Sequence, residues 1–155
     1  MLSRRDFLAA ASRTAALALV GTALPAGEAR AARPIELTVY KSASCGCCKA
    51  WIEHVRANGY AVRAFDVEDL DGVKATAGVP VALRSCHTAY VGGYVVEGHV
   101  PADVIRRLLA EHPAVAGLAV PGMPIGAPGM EGSPSQHFDV IAFERGGTTR
   151  VYARR

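Results

Sequence analysis

The sequence predicts an α/β fold in which helices flank a mixed β-sheet. Segments with alternating apolar residues follow one another along the chain with helical segments between them, which is typical of this fold class. Gly-Gly pairs also join strand-like segments into hairpins. The 155 residues suit one domain of ordinary size, and 50% of them are hydrophobic, which excludes an intrinsically disordered chain.

The first half of the mature chain predicts two strand–helix pairs. Residues 35–40 alternate and are rich in β-branched side chains, which predicts a strand. Apolar spacing and a final Asn-Gly predict a helix over residues 47–58. Residues 61–67 alternate again and predict a second strand, and residues 69–77 predict a short, weak helix that ends at a glycine.

The second half predicts two hairpins separated by a helix and a loop. Residues 79–83 indicate the entry to a third strand, and residues 88–96 predict a hairpin around Gly-Gly. Residues 101–111 predict a helix with proline at its start. A Pro/Gly-rich loop follows over residues 113–136, and the chain closes with a hairpin formed by residues 138–143 and 149–152.

Residues 1–31 predict an export signal rather than part of the fold. The run Ser-Arg-Arg-Asp-Phe-Leu at residues 3–8 matches a twin-arginine signature, and an apolar stretch and an Ala-Arg-Ala cleavage site follow it. The leader holds four arginines and two acidic residues, so the formal charge falls from +3 to +1 without it. This balance excludes a strong electrostatic case for nucleic acid or an anionic membrane as partner. No other segment resembles a transmembrane helix, so we expect no stable membrane insertion after cleavage.

Four cysteines, all outside the leader, are the main candidates for chemistry. Cys45, Cys47 and Cys48 lie at the start of the first predicted helix, where free N–H groups and the helix dipole favour thiolates. Thiolates are both nucleophiles and metal ligands. The fourth is Cys86. An even number of cysteines in an exported protein also permits structural disulfides, but a bridge inside the cluster would close a very short loop.

Histidine and methionine supply further candidate ligands. Cys86 is followed directly by His87, and His99 precedes the helix at residues 101–111, so both histidines are candidates. His54 lies on a predicted helix without a nearby cysteine, and we expect it to be a surface residue.

The two methionines besides the initiator, Met123 and Met130, both lie in the Pro/Gly-rich loop. A loop of this composition offers little core for methionine to fill. A thioether is a soft ligand, and soft sulfur ligands select Cu(I), so six sulfur side chains favour copper over zinc.

The motifs C-G-C-C, S-C-H-T, V-E-G-H-V-P and P-G-M-P-x-G-x-P-G-M-E, in this order, resemble the CopG-type copper-resistance proteins. These are periplasmic metal-binding proteins of thioredoxin-like fold, long catalogued as a domain of unknown function. The likeness covers residues 35–152. It implies a thioredoxin-like domain at residues 32–112, with a cis Val79–Pro80 bond, and an extension at residues 113–155 that completes the metal site.

The resemblance also implies a ligand set and a role. The primary copper ligands would be Cys45, Cys47, Cys48 and Cys86, and the secondary ligands Met123, Met130 and His99. The implied role is copper handling in the periplasm, with interconversion of Cu(I) and Cu(II). The expected partners are copper ions and periplasmic copper-efflux or electron-transfer proteins.

Two other functions remain open from the residues. Cys45 and Cys48 form a C-x-x-C pair that suits a thiol–disulfide oxidoreductase, with Cys45 attacking and Cys48 resolving. A structural zinc site is the other alternative. Neither requires Cys47 together with both methionines.

Overall fold

A computed structural model describes residues 33–155 and folds them around one seven-stranded mixed sheet, which confirms the predicted α/β class. The export signal predicted at residues 1–31 lies outside the described residues. The strands are β1 (Ile35–Lys41), β2 (Tyr60–Asp66), β3 (His87–Val91), β4 (Tyr94–Glu97), β5 (Gly117–Ala119), β6 (Asp139–Phe143) and β7 (Thr149–Arg154). The helices are α1 (Gly46–Ala57), α2 (Leu70–Thr76) and α3 (Ala102–Glu111), with a 3-10 helix at Val81–Leu83.

The sheet has the strand order β2-β1-β3-β4-β5-β6-β7. The pairs β1–β2 and β4–β5 are parallel, and the other neighbours are antiparallel. Both predicted hairpins are confirmed, as β3–β4 and β6–β7. The strands of the C-terminal part therefore continue the sheet that the first four strands begin.

Apolar side chains cover both faces of the sheet. Strand side chains alternate between faces, so the neighbours Val95 and Val96 belong to different clusters. Val96 lies in the larger core, which α1 and α3 cover with Trp51, Val55, Ile105 and Leu108 among others. Val95 lies in a smaller cluster on the opposite face, with Val79, Leu83, Ala119 and Phe143.

Three local predictions are wrong. Residues 81–83 form a 3-10 helix rather than the entry to a strand. The Val79–Pro80 bond is trans, and the cis bond in the described residues is Ser133–Pro134. The chain turns at Pro80 into the 3-10 helix, so the segment paired with the end of β1 starts later, at His87. The loop predicted over residues 113–136 contains β5, whose three residues are buried between β4 and β6.

Within residues 33–155, no helix combines the length and the apolar character that crossing a bilayer would require.

Candidate metal centre

The cysteine cluster lies where β1 ends and α1 begins. Cys45 is the N-cap of α1, and its sulfur accepts a hydrogen bond from the backbone N–H of Cys48 at 3.3 Å. The first turn of α1 contains no acidic residue. The free N–H groups and the positive dipole end of α1 therefore face sulfur, which favours thiolates when the cluster is reduced.

A disulfide joins Cys45 to Cys48, whereas Cys47 and Cys86 are free. The sequence does not favour a bridge inside the cluster, because such a bridge closes a very short loop. The structure differs because the turn at the helix start brings the two Cα atoms to 5.4 Å, a separation that suits a disulfide. Reduction of this bridge is required before all four cysteines can act as thiolate ligands.

Cys86 joins the cluster through the sheet. In the antiparallel pairing of β1 with β3, His87 lies opposite Lys41, so Cys86 lies beside the loop that follows β1. The sulfur of Cys47 is 3.5 Å from that of Cys45 and 3.8 Å from that of Cys86. All four cysteine sulfurs lie within 4.8 Å of one another.

His99 is oriented toward Cys86 by the backbone. Nδ1 of His99 donates to the carbonyl oxygen of Pro128 at 2.8 Å, because a carbonyl only accepts. Burial lowers the pKa of His99, so the ring is neutral and Nε2 carries a lone pair. Nε2 lies 3.0 Å from the sulfur of Cys86. A neutral imidazole in this tautomer is ready to bind a metal ion through Nε2.

Cys86 is protonated when no metal is bound. Burial, reinforced by the adjacent sulfur of Cys47, raises the pKa of Cys86 to about 12. Its S–H can donate to Nε2 of His99. A metal ion that binds this thiolate must displace the proton, so metal binding at Cys86 releases acid.

His87 is a second buried imidazole beside Cys86. Its Nδ1 lies 3.3 Å from the Cys86 sulfur, and its ring centroid is 4.3 Å from that of Trp51. Burial lowers the pKa of His87 well below its ordinary value, and neighbouring His99 and Lys74 lower it further. Nε2 of His87 has no hydrogen-bond partner among residues 33–155. Cys86, His87 and His99 thus form a further group that could hold a metal ion.

The segment between β5 and β6, residues 120–138, carries both methionines and is called the Met loop here. It packs on the first turns of α1 at Gly129. The approach is so close that a Cβ at Gly129 would lie 2.6 Å from the backbone nitrogen of Trp51 and 2.9 Å from the backbone oxygen of Cys47. Met130, the next residue, is half-buried. Met123 is 53% exposed.

The predicted site residues therefore divide into two groups. The structure brings five of them into direct proximity: Cys45, Cys47, Cys48, Cys86 and His99. It places Met130 beside the residue that contacts α1 and leaves Met123 largely open to solvent. Sequence reasoning missed Pro128, since it acts through a backbone carbonyl, and an atom common to every residue gives no sequence signal.

The donor set fits a soft metal ion. Four closely spaced sulfurs and one neutral imidazole match the ligands that Cu(I) prefers, and no carboxylate belongs to the cysteine group identified within residues 33–155. The disulfide form offers two thiols, whereas the reduced form offers four. Zinc also binds four thiolates, so the cysteines alone do not separate the two metals.

Known proteins resemble this chain in sequence and fold. Residues 83–130, which include Cys86, His99 and both methionines, match the family described as "Protein of unknown function, DUF411". No curated protein matches the sequence significantly. Two solved structures, described as copper resistance protein CopG in form 2 and form 1, share 43% and 44% sequence identity with the chain. Each has a TM-score of 0.75, and each comparison covers 79% of this chain and 98% of the other.

Proposed function

Because the chain belongs to the CopG family of copper resistance proteins, we propose that it binds copper as its cargo and acts in copper handling. One observation carries the proposal: four cysteine sulfurs lie within 4.8 Å of one another at the start of α1. Sulfur donors at this density match the preference of Cu(I). The positive end of the α1 dipole supports the negative charge that four thiolates bring.

The ligands differ in strength under this proposal. Thiolates of Cys45, Cys47, Cys48 and Cys86 are the primary ligands, because they contribute charge as well as softness. Nε2 of His99 adds a neutral donor next to Cys86. Met130, held near α1, is a secondary ligand, and Met123 is a weaker one because its side chain is 53% exposed.

The cluster also supports a redox role. Formation of the Cys45–Cys48 disulfide from two thiols releases two electrons and two protons. Two Cu(II) ions can accept those electrons and become Cu(I), which the remaining thiols bind better than Cu(II). An external dithiol would return the pair to the reduced state by thiol–disulfide exchange. In the reverse reaction, two Cu(I) ions give their electrons to the Cys45–Cys48 disulfide, which takes up two protons and returns to two thiols. The proposed function is therefore copper binding with interconversion of Cu(I) and Cu(II).

The periplasm is the proposed location. The twin-arginine signature and the cleavage site within residues 1–31 support export of an already folded chain. Copper-efflux or electron-transfer proteins of that compartment are the proposed partners. A disulfide within the cluster is compatible with an oxidising compartment.

A thioredoxin-like arrangement of the first seven elements is part of the same proposal. The order β1-α1-β2-α2-β3-β4-α3 and the redox-capable cysteines at the start of α1 support it. The trans Val79–Pro80 bond removes one of its expected features.

A thiol–disulfide oxidoreductase is the second candidate function. The observation that favours it is the disulfide of the C-x-x-C pair, Cys45 and Cys48, at a helix N-terminus. This activity needs an attacking and a resolving thiol and does not need Cys47. Cys47 is therefore the residue that discriminates between the two functions.

The deciding experiment measures metal content and Cu(I) affinity on reduced protein isolated from the periplasm. The variant Cys47→Ser is compared with Ser44→Ala, a control that changes an exposed side chain in the loop just before α1. We expect Cys47→Ser to lose most bound copper and Ser44→Ala to keep it. Thiol–disulfide exchange rates are measured on the same samples and on Cys45→Ser.

Two results would overturn the copper proposal. If Cys47→Ser keeps full copper while Cys45→Ser abolishes exchange, the oxidoreductase is correct. If the parent protein carries only zinc and changes at Met123 and Met130 alter nothing, the site is a structural zinc site.

A further inference from the structure

A buried ion pair lies behind Cys86. Nζ of Lys74, on α2, donates to Oε1 of Glu97 at 2.7 Å, and the two side chains are 4% and 0% exposed. Glu97 is the last residue of β4 and lies opposite Thr88 of β3. The Thr88 hydroxyl accepts from Lys74 at 3.1 Å and donates to Oε2 of Glu97 at 2.7 Å. The polar atoms of the three side chains thus satisfy one another.

One bond of Glu97 leaves this group and reaches the site. The backbone N–H of Ser85, the residue before Cys86, donates to Oε1 of Glu97 at 2.6 Å. The rest of Ser85 is also held. Its side chain packs so closely on Gly98 that a Cβ at that glycine would lie only 2.6 Å from it. Its hydroxyl donates a hydrogen bond to the carbonyl oxygen of Gly122 in the Met loop. Ser85 is therefore fixed immediately beside a proposed ligand.

Stability does not account for a buried pair of this kind. Removing two charges from water costs several kcal/mol for each ion, and apolar replacements of a buried pair are often neutral or stabilising. A buried carboxylate does, however, provide a strong, fixed acceptor for a backbone N–H. The Lys74–Glu97 pair has one such N–H, on the segment that carries Cys86.

We propose that Glu97, held by Lys74, is a positioning residue that fixes the Ser85 backbone and thereby holds the Cys86 sulfur against Cys47 and His99. Without this bond, the segment between the 3-10 helix and β3 loses its buried anchor, and Cys86 samples positions away from the cluster. The expected effect on copper binding rests on the proposed function. The role of Glu97 in placing the Cys86 sulfur is independent of that function.

The test compares two double variants that both remove the charges. Lys74→Met/Glu97→Leu also removes the acceptor for the Ser85 N–H. Lys74→Met/Glu97→Gln keeps an amide oxygen at that place. We expect both proteins to fold, with the midpoint of the Gln variant near that of the parent and that of the Leu variant lower, because the Ser85 N–H and the Thr88 hydroxyl lose their acceptor. The affinity of the Leu variant for Cu(I) should fall by a factor of roughly ten or more, as is typical when a residue that supports a metal ligand is lost. The Gln variant should restore affinity to within a few-fold of the parent.

A second measurement does not depend on copper. The rate at which iodoacetamide alkylates Cys86 is measured on the reduced, copper-free full chain, with Cys47 as the internal reference. We expect the rate at Cys86 to rise about tenfold in the Leu variant, and the Gln variant to restore the parent rate. A purely structural pair would leave the ratio of the two alkylation rates unchanged in both variants, whatever their unfolding midpoints.

The outcomes separate the two proposals. Absence of copper binding in the parent would end the proposed function, and the alkylation rates would still test the positioning role. Equal alkylation ratios in the parent and both variants would end the positioning role, whatever the copper result. If the Leu variant does not fold, Lys74→Met/Glu97→Met makes the same loss with a side chain that adapts to irregular cavities.

Discussion

The carbonyl oxygen of Pro128 accepts a hydrogen bond from Nδ1 of His99 at 2.8 Å. This bond crosses from the Met loop to the turn between β4 and α3 and fixes which nitrogen of His99 carries the proton. The other nitrogen then faces the sulfur of Cys86 at 3.0 Å. The Met loop therefore acts on the cysteine cluster through its backbone.

Gly129→Ala should displace the Met loop from α1. The new Cβ would lie 2.6 Å from the backbone nitrogen of Trp51, and the φ of +83° at residue 129 is one that alanine rarely adopts. Clash and strain together should cost roughly 1–3 kcal/mol of unfolding free energy and weaken Cu(I) binding. Gly146→Ala is the control, because no atom lies within 4 Å of its Cβ and its φ is not positive. Denaturant unfolding and Cu(I) competition on both variants check this, and equal effects would contradict it.

The two methionines should contribute unequally to copper binding. Met130→Leu and Met123→Leu conserve most of the side-chain volume, so both variants should keep the fold. Met130 is half-buried beside Gly129, whereas Met123 is 53% exposed, so Met130→Leu should weaken Cu(I) binding more. Neither change should empty the site. The measurement is Cu(I) affinity against a chromophoric competitor, and a larger loss at Met123 would reverse the assignment.

Acid should destabilise the fold in part through His54. Nε2 of His54 accepts the backbone N–H of Ala102 at the start of α3, 3.1 Å away. Burial lowers the pKa of His54 from its ordinary 6.5, although Asp103 and Glu131 oppose this. The unfolded chain therefore takes up a proton at higher pH than the folded chain does. The contribution of His54 to the free energy of unfolding should be constant above about pH 7 and should fall as the pH drops through 6.5 and below.

His54→Gln isolates this contribution. Glutamine keeps a side-chain oxygen that can accept the Ala102 N–H and does not titrate. Urea unfolding at pH 7.5 and 5.5 should show a smaller loss of stability for the variant than for the parent. Some pH dependence should remain, since burial also lowers the pKa values of His87 and His99. An unchanged difference between the two pH values would show that His54 does not contribute.

Export should depend on the arginine pair of the leader. Replacing Arg4 and Arg5 by lysine keeps the charge but removes the signature that the twin-arginine receptor reads. The variant should accumulate in the cytoplasm, as measured by immunoblots of periplasmic and cytoplasmic fractions. Arg13→Lys, a change in the same leader outside the pair, should be exported normally. Normal periplasmic accumulation of the Lys-Lys variant would exclude the twin-arginine route.

Local sequence patterns were sufficient for most of the sheet. The alternating apolar residues of β1 are buried as expected, with Leu37 and Val39 fully inaccessible. The helix predicted from residue 47 begins one residue earlier, with Cys45 as its cap. The strand β5 was missed because three residues are too few to show a period of two. Its Gly117 has no side chain because a Cβ there would lie 2.1 Å from the Val95 carbonyl oxygen.

The parts of the site that sequence did not predict depend on tertiary contacts. Cys86 could be assigned to the cluster from its residue type and from the family resemblance, although the strand predicted before it is a 3-10 helix and its position is set by β3, which begins at His87. The ion pair between Lys74 and Glu97 could not be predicted from the sequence, because charged residues on a helix and a strand normally face solvent. His54 was expected on the surface, yet it accepts a hydrogen bond from α3. No local pattern indicates which backbone N–H a side chain meets.

The order of synthesis matters for a site assembled in this way. The cysteines of residues 45–48 leave the ribosome well before Pro128 and Gly129, because translation proceeds from the N-terminus. A nascent chain that extends only through α3 exposes reactive thiols, and its His99 lacks the carbonyl that orients it. Copper that arrived at this stage would meet an unfinished, uncovered cluster. For copper bound as proposed, the complete site exists only once the Met loop and the last strands have joined the sheet.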